Sequence, residues 1–143
     1  WPIIVMLAAM IPIGTALQTT GVSSLIATSI STYASSLSLF WILLIILIVT
    51  MVTTDIINNA ATAVIMAPLS PAIALELGYA IEPFLMVVAV GASCAFLTPI
   101  GHQCNTVVMG PGNYKFTDYW RMGLPMDILI ILASIPMILF VWT

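Results

Sequence analysis

Charge is the scarcest property of this 143-residue sequence. Two cations and five acids amount to only 5% charged residues, whereas soluble domains usually carry roughly 25%. Hydrophobic residues reach 62%, so a soluble fold would lack the polar surface needed to cover its core. The shortage of charge therefore excludes water as the main solvent, and the shortage of cations excludes a basic surface for nucleic acid.

Cysteine and histidine are nearly absent as well. Cys94 and Cys104 lie in one apolar stretch without the spacing of a disulfide framework or a metal site, and we interpret them as packing residues. His102 is the sole histidine, and no His-Glu-x-x-His pattern occurs. We therefore expect no enzyme, no bound cofactor and no resident metal.

What the sequence does contain is a series of long apolar runs without alternation, which favours membrane helices over a barrel. A transmembrane helix needs about 20 mainly apolar residues. The runs over 1–31 and 122–142 meet this length, and we predict one span in each. Because Trp1 already lies inside an apolar run, we interpret residues 1–143 as one transmembrane domain fragment of a longer, integral, multi-pass protein.

Residues 39–78 hold two shorter apolar runs on either side of a polar interruption. The first run extends for only about 15 residues, and Pro68 and Pro71 break the second, so neither reaches the length of a full span. We predict a re-entrant helical hairpin with its tip at Asn58 and Asn59. Two ordinary spanning helices joined by a surface loop at these asparagines are the alternative.

The next apolar stretch, 83–112, contains a second polar interruption. Pro99 removes a helical hydrogen bond and Gly101 weakens the helix further, so we predict a broken span. Lys115 and Arg121 flank the loop 113–121, which the positive-inside rule places in the cytoplasm. This orientation brings the hairpin in from the outside, and we expect the plasma (inner) membrane as the location.

Two polar interruptions at membrane depth predict a transport site. Irregular backbone survives there only when it is buried in protein or lines a wet cavity. Half-helices that end at such a point offer carbonyl groups to a cation, and half-helices that begin there offer amide groups to an anion. Discontinuous helices with converging ends are typical of ion-coupled secondary transporters.

Both interruptions resemble a known family, the divalent anion:sodium symporters, also called sodium/sulfate and dicarboxylate transporters. The segment Asp55-Ile-Ile-Asn-Asn-Ala60 is similar to the family's second hairpin tip, in which an acid is followed by Ser-Asn-Thr. The segment from Ala92 to Asn105 is similar to its last broken helix, whose loop often reads Thr-Pro-Pro-Asn. The remainder is similar to the branch whose full-length members carry potassium-uptake-type regulatory domains.

The resemblance implies an all-α membrane fold that is one half of an inverted-repeat transporter. It further implies sodium-coupled symport of a divalent anion, with sulfate ahead of dicarboxylates, a missing N-terminal half, and a homodimer at full length. The lipid bilayer surrounds it, and sodium acts as coupling ion rather than cofactor. Ala60 and His102 depart from the family pattern, since Ala60 lacks a hydroxyl group and His102 replaces a threonine.

The residues expected to bind the anion are polar groups at the two interruptions: Asn58, Thr62, His102, Asn105 and Thr106. Those expected to bind sodium are Thr54, Asp55, Asn59, Thr98 and Gly101. A cation or proton antiporter, with Asp55 as the titrating carrier, or a metalloid-anion permease is the alternative function. An intramembrane enzyme or an anchoring fragment without a ligand would fit the motifs less well.

Overall fold

The computed structural model describes residues 37–142, together with Pro12, Ala16 and 19–21. The predicted span over 1–31 therefore lies almost wholly outside the described residues. Within 37–142 the chain forms five α-helices and no strand, which confirms the all-α prediction for this part. The helices are α1 (Leu39–Ile56), α2 (Asn59–Leu77), α3 (Glu82–Ser93), α4 (Gln103–Met109) and α5 (Phe116–Trp142).

Three of these helices are long and apolar enough to cross a membrane: α1, α2 and α5. The first two exceed the short runs read from the sequence. Helix α1 continues to Ile56 as a helix of 18 residues, and α2 continues through Pro68 and Pro71 as one helix of 19 residues. Each proline removes one backbone hydrogen bond, but buried residues between and after them, Ser70 and Ile73, keep this part of α2 packed. The prediction that Pro68 and Pro71 break the second run was wrong, since tertiary packing overrides the local preference.

Helix α3 lies at the centre of the bundle. It packs against α1, α2 and α5, and Phe84 and Val87 on it are fully buried. The chain turns from α2 into α3 at Gly78, whose φ of +74° suits glycine and closes the C-terminus of α2. Pro83 then stands in the first turn of α3, where its missing N–H costs nothing.

The apolar core is built from side chains of the four longer helices. Those with the least exposure include Leu43 and Leu47 on α1, Ile73 on α2, Phe84 on α3 and Ile135 on α5. Many other large apolar side chains of α1 and α5 are exposed, as expected for helices that face lipid or further protein. Three helices of this length and apolar composition indicate an integral membrane protein.

The interruption around Pro99 and Gly101 is present. Helix α3 ends at Ser93, the nine residues 94–102 are irregular, and α4 begins at Gln103. Helix α5 begins at Phe116, six residues before the predicted start of the last span at Met122. The polar stretch before Met122 is helical because Asp118 accepts a hydrogen bond from the backbone N–H of Lys115 (2.8 Å), which caps the first turn.

Candidate functional site

Asp55 joins the end of α1 to the irregular segment 94–102. Its Oδ1 accepts a hydrogen bond from the N–H of Leu97 (3.1 Å), and its backbone carbonyl accepts one from Oγ1 of Thr98 (2.6 Å). The same Thr98 oxygen accepts the N–H of Gly101 (3.1 Å). Three linked hydrogen bonds therefore fix residues 97–101 against the C-terminus of α1, although the two regions are 42 residues apart in sequence.

Gly101 allows these two regions to touch. A Cβ atom at this position would lie 2.8 Å from Cβ of Ala95 and 3.0 Å from both Cα of Asp55 and the carbonyl oxygen of Thr54. Contacts this short are rarely tolerated in packed interiors. The residue was predicted as a sodium ligand, and the structure places it at the cavity wall, where its small size sets the spacing of the two regions.

Three oxygen atoms converge beside the tip of the α1–α2 turn. Oγ1 of Thr54 lies 2.9 Å from Oδ1 of Asn59 and 3.0 Å from the carbonyl oxygen of Ala92. One hydroxyl proton serves two acceptors, so the cluster holds more lone pairs than donated protons. We call Thr54, Asn59 and Ala92 the oxygen cluster. Hydroxyl, amide and carbonyl oxygens are ligands that hard cations such as sodium accept.

Two capping residues stand on either side of a cavity. Asn58 accepts the N–H of Ala61 on Oδ1 (2.8 Å) at the start of α2, and His102 accepts the N–H of Cys104 on Nδ1 (3.1 Å) at the start of α4. A ring nitrogen that accepts a hydrogen bond carries no proton, so the proton of His102 is on Nε2 in this arrangement. Each cap thus keeps a donor group, Nδ2–H or Nε2–H, without a partner among the described residues.

The cavity between these caps has a volume of about 350 Å³. Its lining is formed by the two polar interruptions together: Ile57, Asn58, Asn59, Ala60, Ile100, Gly101, His102 and Gln103. No side chain with a formal charge lines it within the described residues. Neutral donors and the N-terminus of the long helix α2 therefore provide its polarity, and such a surface favours an anion.

Asn105 and Thr106 stand next to the cavity with their donors already engaged. Nδ2 of Asn105 donates to the carbonyl oxygens of Ala95 (2.9 Å) and Thr98 (3.3 Å). Oγ1 of Thr106 donates to the carbonyl oxygen of Pro99 (2.6 Å). These bonds hold α4 on the irregular segment, so the predicted contact of both residues with an anion stays a prediction that requires the bonds to exchange.

Thr62 and Asp55 carry buried oxygen atoms that have no hydrogen-bond partner within the described part of the chain. Thr62 is fully buried on α2, and its Oγ1 has no partner. Asp55 is 4% exposed, and its Oδ2 has none either. Thr62 does not line the cavity, and neither do Asn105 and Thr106. Of the five residues predicted to bind the anion, two therefore line the cavity: Asn58 and His102.

Sequence reasoning missed three groups at or near this site. The carbonyl oxygen of Ala92 belongs to the oxygen cluster, and no sequence signal identifies a single carbonyl. Tyr119 donates its phenol hydrogen to the carbonyl oxygen of Asn105 (2.7 Å). Asp127 is 7% exposed on α5 with Oδ1 unpartnered among the described residues. A lone acid inside an apolar span is the signal that would have found Asp127.

Comparison with known protein families decides what kind of protein contains this site. The family described as citrate transporter matches residues 1–91, well over half of the chain. The chain belongs to the citrate transporter family. This membership makes it a part of a membrane transporter and not of an enzyme.

Relatives of this citrate transporter family chain include an uncharacterized transporter of Synechocystis sp., 37% identical over 142 residues, which cover 99% of the chain and 23% of the relative. Sodium/sulfate cotransporter 2 of Chlamydomonas reinhardtii is 27% identical over 135 residues (94% of the chain, 15% of the relative). Sodium-dependent high-affinity dicarboxylate transporter 3 of Caenorhabditis elegans is 26% identical over 133 residues (92% and 23%).

The names of these relatives confirm the resemblance to sodium/sulfate and dicarboxylate transporters. The chain spans less than a third of the length of four curated relatives that it matches. Their activities are therefore those of proteins several times longer than this chain.

Proposed function

We propose that the chain is one structural half of a sodium-coupled symporter for a divalent anion, with sulfate as the first candidate and dicarboxylates as the second. The observation that supports this most directly is the juxtaposition of the oxygen cluster with the uncharged, donor-lined cavity. Asn59 belongs to both. A cation held in the cluster would lie beside an anion in the cavity, and each would favour binding of the other through their opposite charges.

The cavity suits an anion that is recognised by hydrogen bonds rather than by ion pairs. Asn58 and His102 each use one side-chain atom as the acceptor in a helix cap, and each has a neutral donor group left. The free N–H groups at the start of α2 add the positive end of a 19-residue helix dipole. A compact dianion such as sulfate can accept several hydrogen bonds from such donors at once. A cationic substrate would find no acidic side chain in the lining of the cavity.

We also propose that α1 and α2 form a re-entrant hairpin. Gly123 of α5 packs against the carbonyl group of Phe96 in the irregular segment, and it stands seven residues after the start of this 27-residue helix. At 1.5 Å per residue, roughly 10 Å of α5 lies on one side of this level and roughly 30 Å on the other. The tip, which touches the same segment, would therefore stop short of the N-terminal end of α5.

A complete site would need a second, inverted copy of this unit, which we propose is supplied by the rest of a longer protein. In that protein the segment 113–121, which includes the first turns of α5, would be cytoplasmic, and two copies of the whole chain would form a homodimer in the plasma membrane. The alternative of cation or proton antiport depends on Asp55. Antiport should persist when all transportable anions are removed, whereas symport should stop.

The test is sulfate uptake by the complete transporter in proteoliposomes, with and without an inward sodium gradient. Thr54→Val removes the hydroxyl oxygen of the cluster and keeps its volume, so the sodium concentration for half-maximal uptake should rise about tenfold, equal to about 1.4 kcal/mol. Thr53→Val is the matched control, because among the described residues Oγ1 of Thr53 bonds only to the carbonyl oxygen of Val49 in its own helix.

Equal sodium dependence in Thr54→Val and Thr53→Val would contradict sodium binding at the oxygen cluster. Uptake without any sodium dependence in the unsubstituted protein would contradict sodium coupling as a whole. Succinate, tested in parallel, distinguishes the sulfate and dicarboxylate forms of the proposal.

A further inference from the structure

Helix α4 forms one wall of the anion cavity but has little packing of its own. It contains only seven residues, Gln103–Met109, and none of them is buried. Isolated helices shorter than about 12–15 residues are marginal in water, because few hydrogen bonds repay the cost of nucleation. The position of α4, and with it the position of His102 and Gln103 on the cavity wall, must therefore depend on a few specific bonds.

Most of these bonds stay within one segment. The side chains of Asn105 and Thr106 reach back to carbonyl oxygens of residues 95–99, and the turn after α4 closes through the N–H of Tyr114 on the carbonyl of Met109 (3.1 Å). The bonds between Asp55, Leu97 and Thr98 fix residues 97–101 against α1. The contacts of Asn105, Thr106 and Tyr114 shape the segment only locally and do not attach α4 itself to a long helix.

One side-chain hydrogen bond connects α4 to another helix within the described residues. Tyr119 of α5 donates from its hydroxyl group to the carbonyl oxygen of Asn105 at 2.7 Å. The phenol ring is half-buried and packs edge to face on Tyr114, with ring centroids 6.2 Å apart, so its direction is constrained. One turn further along α5, Gly123 packs directly against Phe96. Helix α5 thus contacts the irregular segment at Phe96 and α4 at Asn105.

We propose that Tyr119 is a positioning residue for the anion cavity, which sets the orientation of α4 and thereby places His102 and Gln103. Tyr119 does not line the cavity and does not contact the oxygen cluster. Loss of its hydroxyl group should therefore weaken the anion side of the site and leave the cation side unchanged. The expected effect on anion affinity rests on the proposed function, whereas the expected effect on the orientation of α4 does not.

The transport test compares two hydroxyl deletions in the complete transporter. Tyr119→Phe removes the bond to Asn105, and we expect the KM for sulfate to rise about fivefold, in keeping with the loss of one net hydrogen bond. The maximal rate and the half-saturating sodium concentration should stay within about twofold of the unsubstituted protein. Tyr114→Phe is the control, since the Tyr114 hydroxyl has no hydrogen-bond partner among the described residues.

A lower maximal rate with an unchanged KM in Tyr119→Phe would indicate a general loss of folded protein and would overturn the positioning role. So would equal KM values in Tyr119→Phe and Tyr114→Phe.

The second test needs no transport. Cys104 lies on α4 and is exposed, whereas Cys94 is buried, so a maleimide reports on α4 once other accessible cysteines have been replaced. We expect Tyr119→Phe to label at Cys104 severalfold faster than Tyr114→Phe, in the absence of any anion. Equal labelling rates would overturn the inference. If labelling differs but the unsubstituted protein takes up no sulfate, the proposed function fails and the Tyr119 contact stands.

Discussion

The tip of the α1–α2 turn and the irregular segment 94–102 meet at one site but are held in different ways. Behind the tip stand two helices of 18 and 19 residues whose inner faces are buried. Behind the irregular segment stand a 12-residue helix on one side and the seven-residue, unburied α4 on the other. Apolar packing positions the first region, and polar bonds position the second.

This difference divides the two halves of the proposed site. The oxygen cluster draws on Thr54, Asn59 and Ala92, which lie on the packed helices α1, α2 and α3, so helix packing holds these oxygen atoms in place. The cavity wall at His102 and Gln103 depends on single hydrogen bonds of about 0.5–1.5 kcal/mol each. We therefore expect substitutions near the tip to affect cation dependence, and substitutions in the segment to affect anion affinity.

The largest expected effect comes from removing the contact that joins the two regions. Gly101→Ala would place a Cβ atom within 2.8–3.0 Å of Ala95, Asp55 and Thr54, so the segment must move away from α1. We expect a loss of sulfate transport of about 100-fold or more, with cation and anion dependence both altered. Gly110→Ala is the matched control, because nothing lies within 4 Å of a Cβ at that position.

The measurement is uptake per amount of protein in the membrane, so that a folding defect is separated from a defect in the site. Normal transport by Gly101→Ala would mean that the close contact between the tip and the segment is not needed during the cycle.

A smaller effect is expected inside the segment. Asn105→Ala removes both bonds to the carbonyl groups of Ala95 and Thr98 and leaves two acceptors unpaired, at about 1–3 kcal/mol in total. We expect the KM for sulfate to rise about tenfold while the sodium dependence stays normal. Thermal unfolding in detergent provides the second measurement. A shift in sodium dependence equal to the shift in KM would contradict the expectation that the segment affects anion affinity separately from cation dependence.

His102 tests the cavity wall alone. His102→Ala removes the cap on Cys104 N–H and the free Nε2–H together, and we expect about a fivefold loss of sulfate affinity, typical of a lost N-cap of about 1 kcal/mol. His102→Asn keeps a capping oxygen and an amide donor and should restore most of it. Sulfate binding measured by calorimetry at fixed sodium checks both variants. Unchanged affinity in His102→Ala would remove this residue from anion recognition.

The smallest effect concerns Asp127, a buried acid on α5. A buried carboxyl oxygen without a partner costs free energy, so Asp127→Asn should leave the free energy of unfolding, measured by thermal unfolding, unchanged or raise it by about 1 kcal/mol at most. Glu76→Gln, at an exposed position, is the control. A clear fall in stability would contradict this expectation and indicate that Asp127 has a partner beyond residues 37–142.

The sequence predicted the elements of this site better than its contacts. Pro99 and Gly101 sufficed to locate the interruption after α3, because their effect on a helix is local. The same local rule failed at Pro68 and Pro71, where packing keeps α2 continuous. Asp55, Asn58, Asn59 and Thr62 were identified as polar groups at the first interruption, but the sequence did not show which of them would line the cavity.

Contacts between distant residues account for the remainder. The bond from Leu97 to Asp55 connects positions 42 apart, and the bond from Tyr119 to Asn105 joins two helices whose relative orientation no local pattern encodes. Asn105 and Thr106 were predicted to bind the anion because they are polar and stand at a helix start. In the structure their side chains donate to carbonyl groups left free by the irregular backbone, and only the folded arrangement shows which groups those are.

The contact between Gly101 and the end of α1 also limits how this region can vary. A larger side chain at position 101 fits only if the backbone at Asp55 withdraws, and that withdrawal breaks the bonds to Leu97 and Thr98. Single changes at any of these positions are therefore penalised, whereas a combined change can restore the fit. Substitutions at positions 55, 98 and 101 should accordingly occur together when descendants of this gene diverge, as a linked unit divided between two distant parts of the sequence.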